Sequence, residues 1–508
     1  MRSIFLGSVF IFLTFIQFAK AQEISGQILD SASKQPVPFA SVIYGSNRGV
    51  VSNDEGKFNI QANLDPKAII KIASLGYEPK ELEVSKVNDQ IIYLKSQSIQ
   101  LSDIFLSNKK LSGEEIIAKV TEKIADNYNF NYTQKRFFFR ESDVNYVRQF
   151  DIDIDESTIP ELNQALMDSI SNSIPKKSDS YKEVMGDLYG NYDKQKIKVL
   201  KAANLENPQS RESLTELSDK IQDIFQRNLK KSSYLKVKSG WLGVKVDADE
   251  LQEELEDSEA EVAIKPEPTA EELAKAKETK LRDLKQTTVA DIKGLLNAMF
   301  WKSDNTLDIF EKSRKYNFEL KGYVQIENDI AYVIDFEPKR GADFKGKLYV
   351  NTENFGVYRI DFENVKDLKS FKLLGISNAS NVYKGKMIFG KDEAGKYNPK
   401  YIEIEEGESF GIERPLTIIE KNKFVAGKRK QNELDLDIKL RVNQLNKLQL
   451  VVFENSKMEA KDFNALETKS EDFEYQTFKR YNPEFWNGYN IIEPNAAIKA
   501  FTAPQVQD

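Results

Sequence analysis

Tyr332-Val333-Ile334-Asp335-Phe336 and Tyr358-Arg359-Ile360-Asp361-Phe362-Glu363 decide the fold of the larger part of this 508-residue chain. In each, Tyr, Ile and Phe take every second position, and in the second the places between them hold Arg, Asp and Glu. A period of two belongs to a β-strand with one buried face. Residues 347–351, 381–389, 399–406, 416–424 and 448–453 read as further strands. Glu327-Asn328-Asp329, Glu353-Asn354-Phe355-Gly356 and Asp392-Glu393-Ala394-Gly395 separate several of them as tight turns. Residues 317–508 are therefore predicted to form a large antiparallel β-meander. Its polar face needs no cover, and its apolar face predicts helices packed upon it.

Toward the N-terminus, residues 111–316 read as a mainly helical region. Ser112, with Glu115 three residues on, forms a capping box, and Ile116, Ile117, Val120 and Ile124 follow at helical spacing. Residues 179–235 also read as mostly helical, with Leu214, Leu217, Ile221, Ile224 and Phe225 as one face. Residues 247–261 carry many acids and no Lys or Arg, and Pro266-Glu267-Pro268 follows. Residues 247–268 are thus expected to be a mobile, solvated insertion, with a cation-binding patch as the alternative. Thr269 then caps a charged helix running to about residue 285. The aromatic stretch Asn482-Pro483-Glu484-Phe485-Trp486-Asn487-Gly488-Tyr489-Asn490 is expected to dock on the sheet.

Residues 23–98 have a different rhythm, with short strands and turn signals every few residues, the pattern of a β-sandwich. Gly26-x-Ile28-x-Asp30, Pro38-x-Ala40-x-Val42, Gly49, Asn53-Asp54-x-Gly56-x-Phe58 and Gly76-Tyr77 occur in that order. This string resembles the carboxypeptidase regulatory-like domain. The resemblance implies a transthyretin-like, seven-stranded sandwich that carries no active site. Gly26, Gly49, Gly56 and Gly76 are read as backbone devices. Tyr77 is read as a core or corner aromatic. Asp54 and Glu55 lack the spacing of a calcium loop.

Two further resemblances lie downstream. The helix, Asn127-Tyr128-Asn129 and the strand Arg136-Phe137-Phe138-Phe139-Arg140-Glu141 are similar to the segment that often follows this domain in exported Bacteroidetes proteins. Arg140 and Glu141, as strand neighbours, should point to opposite faces and find other partners. The strands at 324–336, Gly346-x-Leu348-Tyr349-Val350-Asn351 and Tyr358-Arg359-Ile360 are similar in outline to the half-barrels of LolA/LolB-type periplasmic proteins. The fold class predicted is thus α+β: a sandwich, then helices packed on a large antiparallel meander or half-barrel.

Met1-Arg2-Ser3, an apolar run over residues 4–19 and Ala19-Lys20-Ala21 read as a signal peptide, cleaved after residue 21. Export to the periplasm, or to the periplasmic face of the outer membrane, is the expectation. The chain has neither Cys nor His. That removes disulfides, thiol nucleophiles, His-dependent zinc sites and imidazole bases. A net charge of −7 offers no basic surface for nucleic acid. No catalytic, cofactor-binding or metal-ligating residue is nominated, and no cofactor is expected. The leading reading is a non-catalytic cell-envelope binding or scaffold protein acting on a protein, lipid or glycan. The alternatives are a carboxylate-dependent hydrolase, needing two convergent acids in a cleft, and a lipid or lipoprotein carrier, needing a deep apolar concavity under the sheet.

Overall fold

Ile24 and Ile28 are buried and alternate with polar Ser25 and Gln27 in the opening strand, β1 (Glu23–Asp30). After it come β2 (Ser41–Ile43), β3 (Gly49–Val51), β4 (Lys57–Gln61), β5 (Ile69–Ala73), β6 (Lys80–Glu83) and β7 (Gln90–Leu94). They make two sheets, ordered β4-β1-β7 and β3-β2-β5-β6, so the sandwich has seven strands as predicted. Ile24, Ile28, Val42, Phe58, Ile60, Ile70 and Ile72 form its interior. Gly26 faces the Phe58 ring at 2.8 Å from where a Cβ would stand, and Gly56 has φ +72° with the Ile28 carbonyl 2.3 Å from that position. Neither site admits a side chain. Asp30 accepts bonds from the Ala32 and Ser33 amides at 2.8 and 2.6 Å and from the Tyr77 hydroxyl. Two distant parts of the sequence signature thus meet in one turn.

The computed structural model describes residues 23–45, 48–97, 111–207, 220–224, 227–230, 233–240, 242–247, 269–303, 305–326, 329–339, 341–424, 429–467 and 473–502. The expected signal peptide and residues 248–268 of the acidic stretch lie outside these, as do Leu214, Leu217 and Phe225. The chain falls into two units: residues 1–98, 324–328 and 482–496, and the remainder. The aromatic segment therefore joins the sandwich unit instead of the large sheet expected to receive it. The turn Asn53-Asp54-Glu55-Gly56 holds it there. Asn53 Nδ2 donates to the Glu493 carbonyl at 3.1 Å, and Glu55 accepts from the Ala496 amide at 2.7 Å. Asn490 accepts from the Gln61 amide at 2.9 Å and donates to the Tyr44 hydroxyl at 2.7 Å.

The second unit begins with α1 (Gly113–Asn127), whose Ser112 capping box forms as expected. The mainly helical reading of 111–316 is then overturned by β8 (Thr133–Ser157), β9 (Lys177–Gly190), β10 (Gln195–Leu205), β11 (Ser233–Ser239) and β12 (Leu242–Asp247). Among the described residues here, helix is found in α1, α2 (Gln164–Ser173), residues 220–224 and 227–228, α3 (Ala270–Asn297), which Thr269 caps, and a 3-10 turn at Ser313–Lys315. Tyr181, Val184, Met185 and Leu188 have helical spacing by coincidence. Here β9 is buried on both faces, so the alternation that marks a strand disappears.

The remaining strands are β13 (Tyr316–Ile326), β14 (Asp329–Pro338), β15 (Phe344–Asn351), β16 (Val357–Asn364), β17 (Lys369–Leu373), β18 (Ile376–Lys391), β19 (Tyr397–Asn422), β20 (Lys430–Lys457) and β21 (Glu474–Phe478). The segments read at 399–406 and 416–424 belong to one strand, β19. The sheet has 14 strands along the path β13-β14-β15-β16-β18-β19-β20-β8-β9-β10-β21, with β11, β12 and β17 as side branches. It is mixed, because β21 runs parallel to β10. Helices α2 and α3 pack on it. The strands β8, β19 and β20 are 25, 26 and 28 residues long and lie side by side.

Candidate functional site

The long strands carry more sheet than one core can cover. At their inner ends Phe137, Phe138, Phe139, Leu450, Val451, Tyr401 and Ile402 are buried, so both faces are closed. Arg140 and Glu141 point to opposite faces here, each with a partner. Arg140 Nε and Nη2 donate to Glu183 Oε1 at 2.7 and 2.6 Å, and the pair is 2% and 0% exposed. Glu141 meets Lys182 at 2.5 Å, and Lys182 also holds Asp291 of α3 at 2.8 Å. Burial, with Lys182 opposing it, keeps the Asp291 carboxyl above its ordinary range. Burial raises Asp143 likewise, against the bonds from Gln444 and Asn145.

Near the start of β8, Lys135 Nζ donates to Thr133 Oγ1 and lines a cavity with Asn129, Asn131, Asn191 and Tyr192. That cavity has room for about one water. Burial, reinforced by Lys400, pushes the Lys135 ammonium down to about 8. A more open cleft of about 710 Å³ lies along α3, lined by Lys182, Asn204, Thr279, Lys280 and Tyr475. Lys280 stands 5.0 Å over the Tyr475 ring. Its walls mix Lys182, Lys275 and Lys280 with Glu272 and Asp283, so neither sign of charge dominates.

The outer ends differ. Cross-strand register sets Phe150 of β8, Leu440 of β20, Ile412 of β19, Ile376 of β18 and Leu373 of β17 in one row across five strands. The next row is Val147, Val442, Phe410, Asn378 and Phe371. Paired residues of a sheet share a face, so the two rows form one band, apolar except at Asn378. The opposite face of these strands presents Gln149, Asp151, Lys439, Arg441 and Glu413.

At one end of the band Ile159, Leu162, Met167 and Ile170, from α2 and the turn before it, pack with Ile224 over Ile152, Ile154, Leu434, Leu436 and Ile438. This cover fades across the sheet. Phe150, Leu440, Val442 and Ile412 are half-buried, while Phe410, Phe371 and Leu373 are 41%, 53% and 56% exposed. Contiguous exposed apolar surface on a sheet face marks a binding surface more often than chance. The sequence reading missed this band. Its signal was present in Leu434-Asp435-Leu436-Asp437-Ile438-Lys439-Leu440, an alternation lying between the segments read as strands.

Asp54 and Glu55 lie in the turn that holds residues 490–496, and no metal-like geometry gathers around them. Among the described residues no group of three or more His, Cys, Asp or Glu side chains stands ready to hold a metal ion. None of the described helices is long and apolar enough to cross a membrane.

Residues 24–106 match the family described as the CarboxypepD_reg-like domain. The chain therefore carries this domain at its start, where the sandwich is found. No curated protein matches the chain. Among solved structures, a LolA superfamily protein from Nitrosomonas europaea is similar over 70% of this chain and 99% of its own, at 10% identity and a TM-score of 0.17. A likeness that weak carries no argument.

Proposed function

We propose that this chain is a non-catalytic, exported cell-envelope protein that binds an acyl chain, or a ligand of like shape, along the apolar band of its large sheet. The carrying observation is the pair of apolar rows that crosses five strands and ends exposed at Phe371, Leu373 and Phe410. An extended hydrocarbon laid along such a row removes apolar area on both partners from water, at roughly 25 cal/mol per Å². The charged opposite face keeps the strands soluble without requiring a second cover. The regulatory-like sandwich is an accessory module in this reading. Support for the absence of catalysis comes from two of the three carboxyls that burial raises, the third being Glu406 beside Glu408. Asp291 is held by Lys182, and Asp143 accepts bonds from Gln444 and Asn145 at 3.1 and 2.8 Å.

A fluorescent acyl-chain probe, titrated against the full chain, tests the reading. The wild type should enhance the probe saturably, and Phe410→Ser with Leu440→Ser should weaken binding at least tenfold with circular dichroism unchanged. No binding, or equal binding by the double variant, defeats it. Saturable hydrolysis of a glycoside or ester that Asp143→Asn abolishes would put the hydrolase in its place.

A further inference from the structure

The β17–β18 hairpin is built unlike the rest of the surface. Its register pairs Leu373 with Ile376 across a two-residue turn, Leu374-Gly375, with φ of +51° and +77°. Two positive φ values suit Asn-Gly or Gly-Gly, and a leucine in the left-handed region is disfavoured. Leu374 is 44% exposed, so no interior position explains it. With Phe371 and Leu373 it gives the hairpin tip three exposed large apolar side chains.

The charge is equally local. The chain holds 73 Lys and Arg against 80 Asp and Glu, yet residues 368–391 contain Lys369, Lys372, Lys384, Lys386 and Lys391 and no acid. Lys384 pairs with Glu405 at 3.0 Å and Lys391 with Asp329 at 2.6 Å. Among the described residues no carboxylate stands within ion-pair distance of Lys369 or Lys372, the two lysines of β17 itself. Edge lysines also guard a strand against unwanted pairing. That purpose accounts for the lysines but not for a strained leucine at the apex.

We infer that this hairpin docks the protein on an anionic lipid bilayer, with Leu374 and its neighbours among the acyl chains and Lys369 and Lys372 at the headgroup phosphates. Apolar tips favour insertion, and each basic residue near an anionic surface strengthens partition about fivefold. The inference shares Phe371 and Leu373 with the acyl-binding reading, but its test falls on Leu374 and the two lysines, which lie outside the residues that test that reading.

Vesicle flotation of the full chain decides the matter. Leu374→Asn places a turn-favouring residue at the apex, so the fold should be kept or strengthened. Wild type should float with phosphatidylcholine vesicles containing phosphatidylglycerol, less so at high salt. Leu374→Asn should lose at least tenfold in partition. Lys369→Gln with Lys372→Gln should fall to the level seen on phosphatidylcholine alone, and both variants should keep wild-type acyl-probe binding. Failure of wild type to float, or flotation of Leu374→Asn equal to wild type, overturns the inference. A wild-type dimer in solution that Leu374→Asn dissolves also overturns it, by assigning the tip to a second copy of the chain.

Discussion

At its inner end β20 places Leu450 and Val452 on one face and Val451 and Phe453 on the other, all buried. At its outer end Leu436, Ile438 and Leu440 share one face while Asp435, Asp437 and Lys439 take the other. The backbone is continuous between these regions and the antiparallel pairing with β8 and β19 runs along both. What differs is what the side chains meet. The inner region is closed on two sides and buries charged groups there, Arg140 against Glu183 and Lys135 beside Thr133. The outer region has one apolar side, and the cover supplied by α2 stops partway across it. Long strands therefore let one sheet supply both a core and a presented surface. The two regions should respond to mutation to very different degrees.

The largest effect belongs to the inner region. Arg140→Met strands the Glu183 carboxylate in a site with no solvent exposure, and should cost about 3–5 kcal/mol in urea unfolding. Adding Glu183→Met should recover most of that loss. A cost below about 1 kcal/mol for the single variant would show that the inner region tolerates unpaired charge.

A matched truncation compares the regions directly. Leu450 is 1% exposed, and Leu450→Ala should cost about 2–5 kcal/mol. Leu440→Ala, in a half-buried row, should cost about 1 kcal/mol or less. Equal costs would mean the outer band is structural core.

Lys135 gives a pH signature confined to the inner region. Its ammonium titrates near 8 in the folded chain against 10.5 when free. Between those values the unfolded chain binds more protons, so stability rises with pH across that window. Below pH 8 the cost of burying the amine stands in full, at most about 3 kcal/mol. Lys135→Met should be more stable at pH 7 by up to that amount and should lose the alkaline rise in Tm. A rise of equal size in the variant would assign it to other groups.

The two regions also differed in how far the sequence disclosed them. The sandwich was legible because Gly56 and Gly26 answer to steric needs that only glycine meets, and Asp30 with Tyr77 marks a fixed turn. The meander at β14–β16 was legible through Tyr332, Ile334, Ile360 and Phe362, whose strands alternate cleanly. The inner part of β9 was not, since burial on both faces removed the period of two and left a helical spacing. The outer part of β20 alternates as plainly as β16, but its Asp and Lys neighbours resemble a solvated segment until register aligns them with β8 and β19. Lys135 and Glu183 carried no local signal, because their character comes from what surrounds them in space.

The return of residues 482–496 to the sandwich has a consequence for biosynthesis. Gln61 and Asn490, which share a hydrogen bond, are separated by 429 positions. The ribosome has released every strand of β1–β7 long before it makes the segment that Asn53 and Glu55 hold. The first module must therefore wait for a segment made 429 positions later with the edge that receives Asn490 unfilled. Contacts of such sequence separation form slowly, because a long loop must close before they contribute. Loss of the contacts made by residues 490–496 should consequently be felt at the far end of the sequence, in the sandwich.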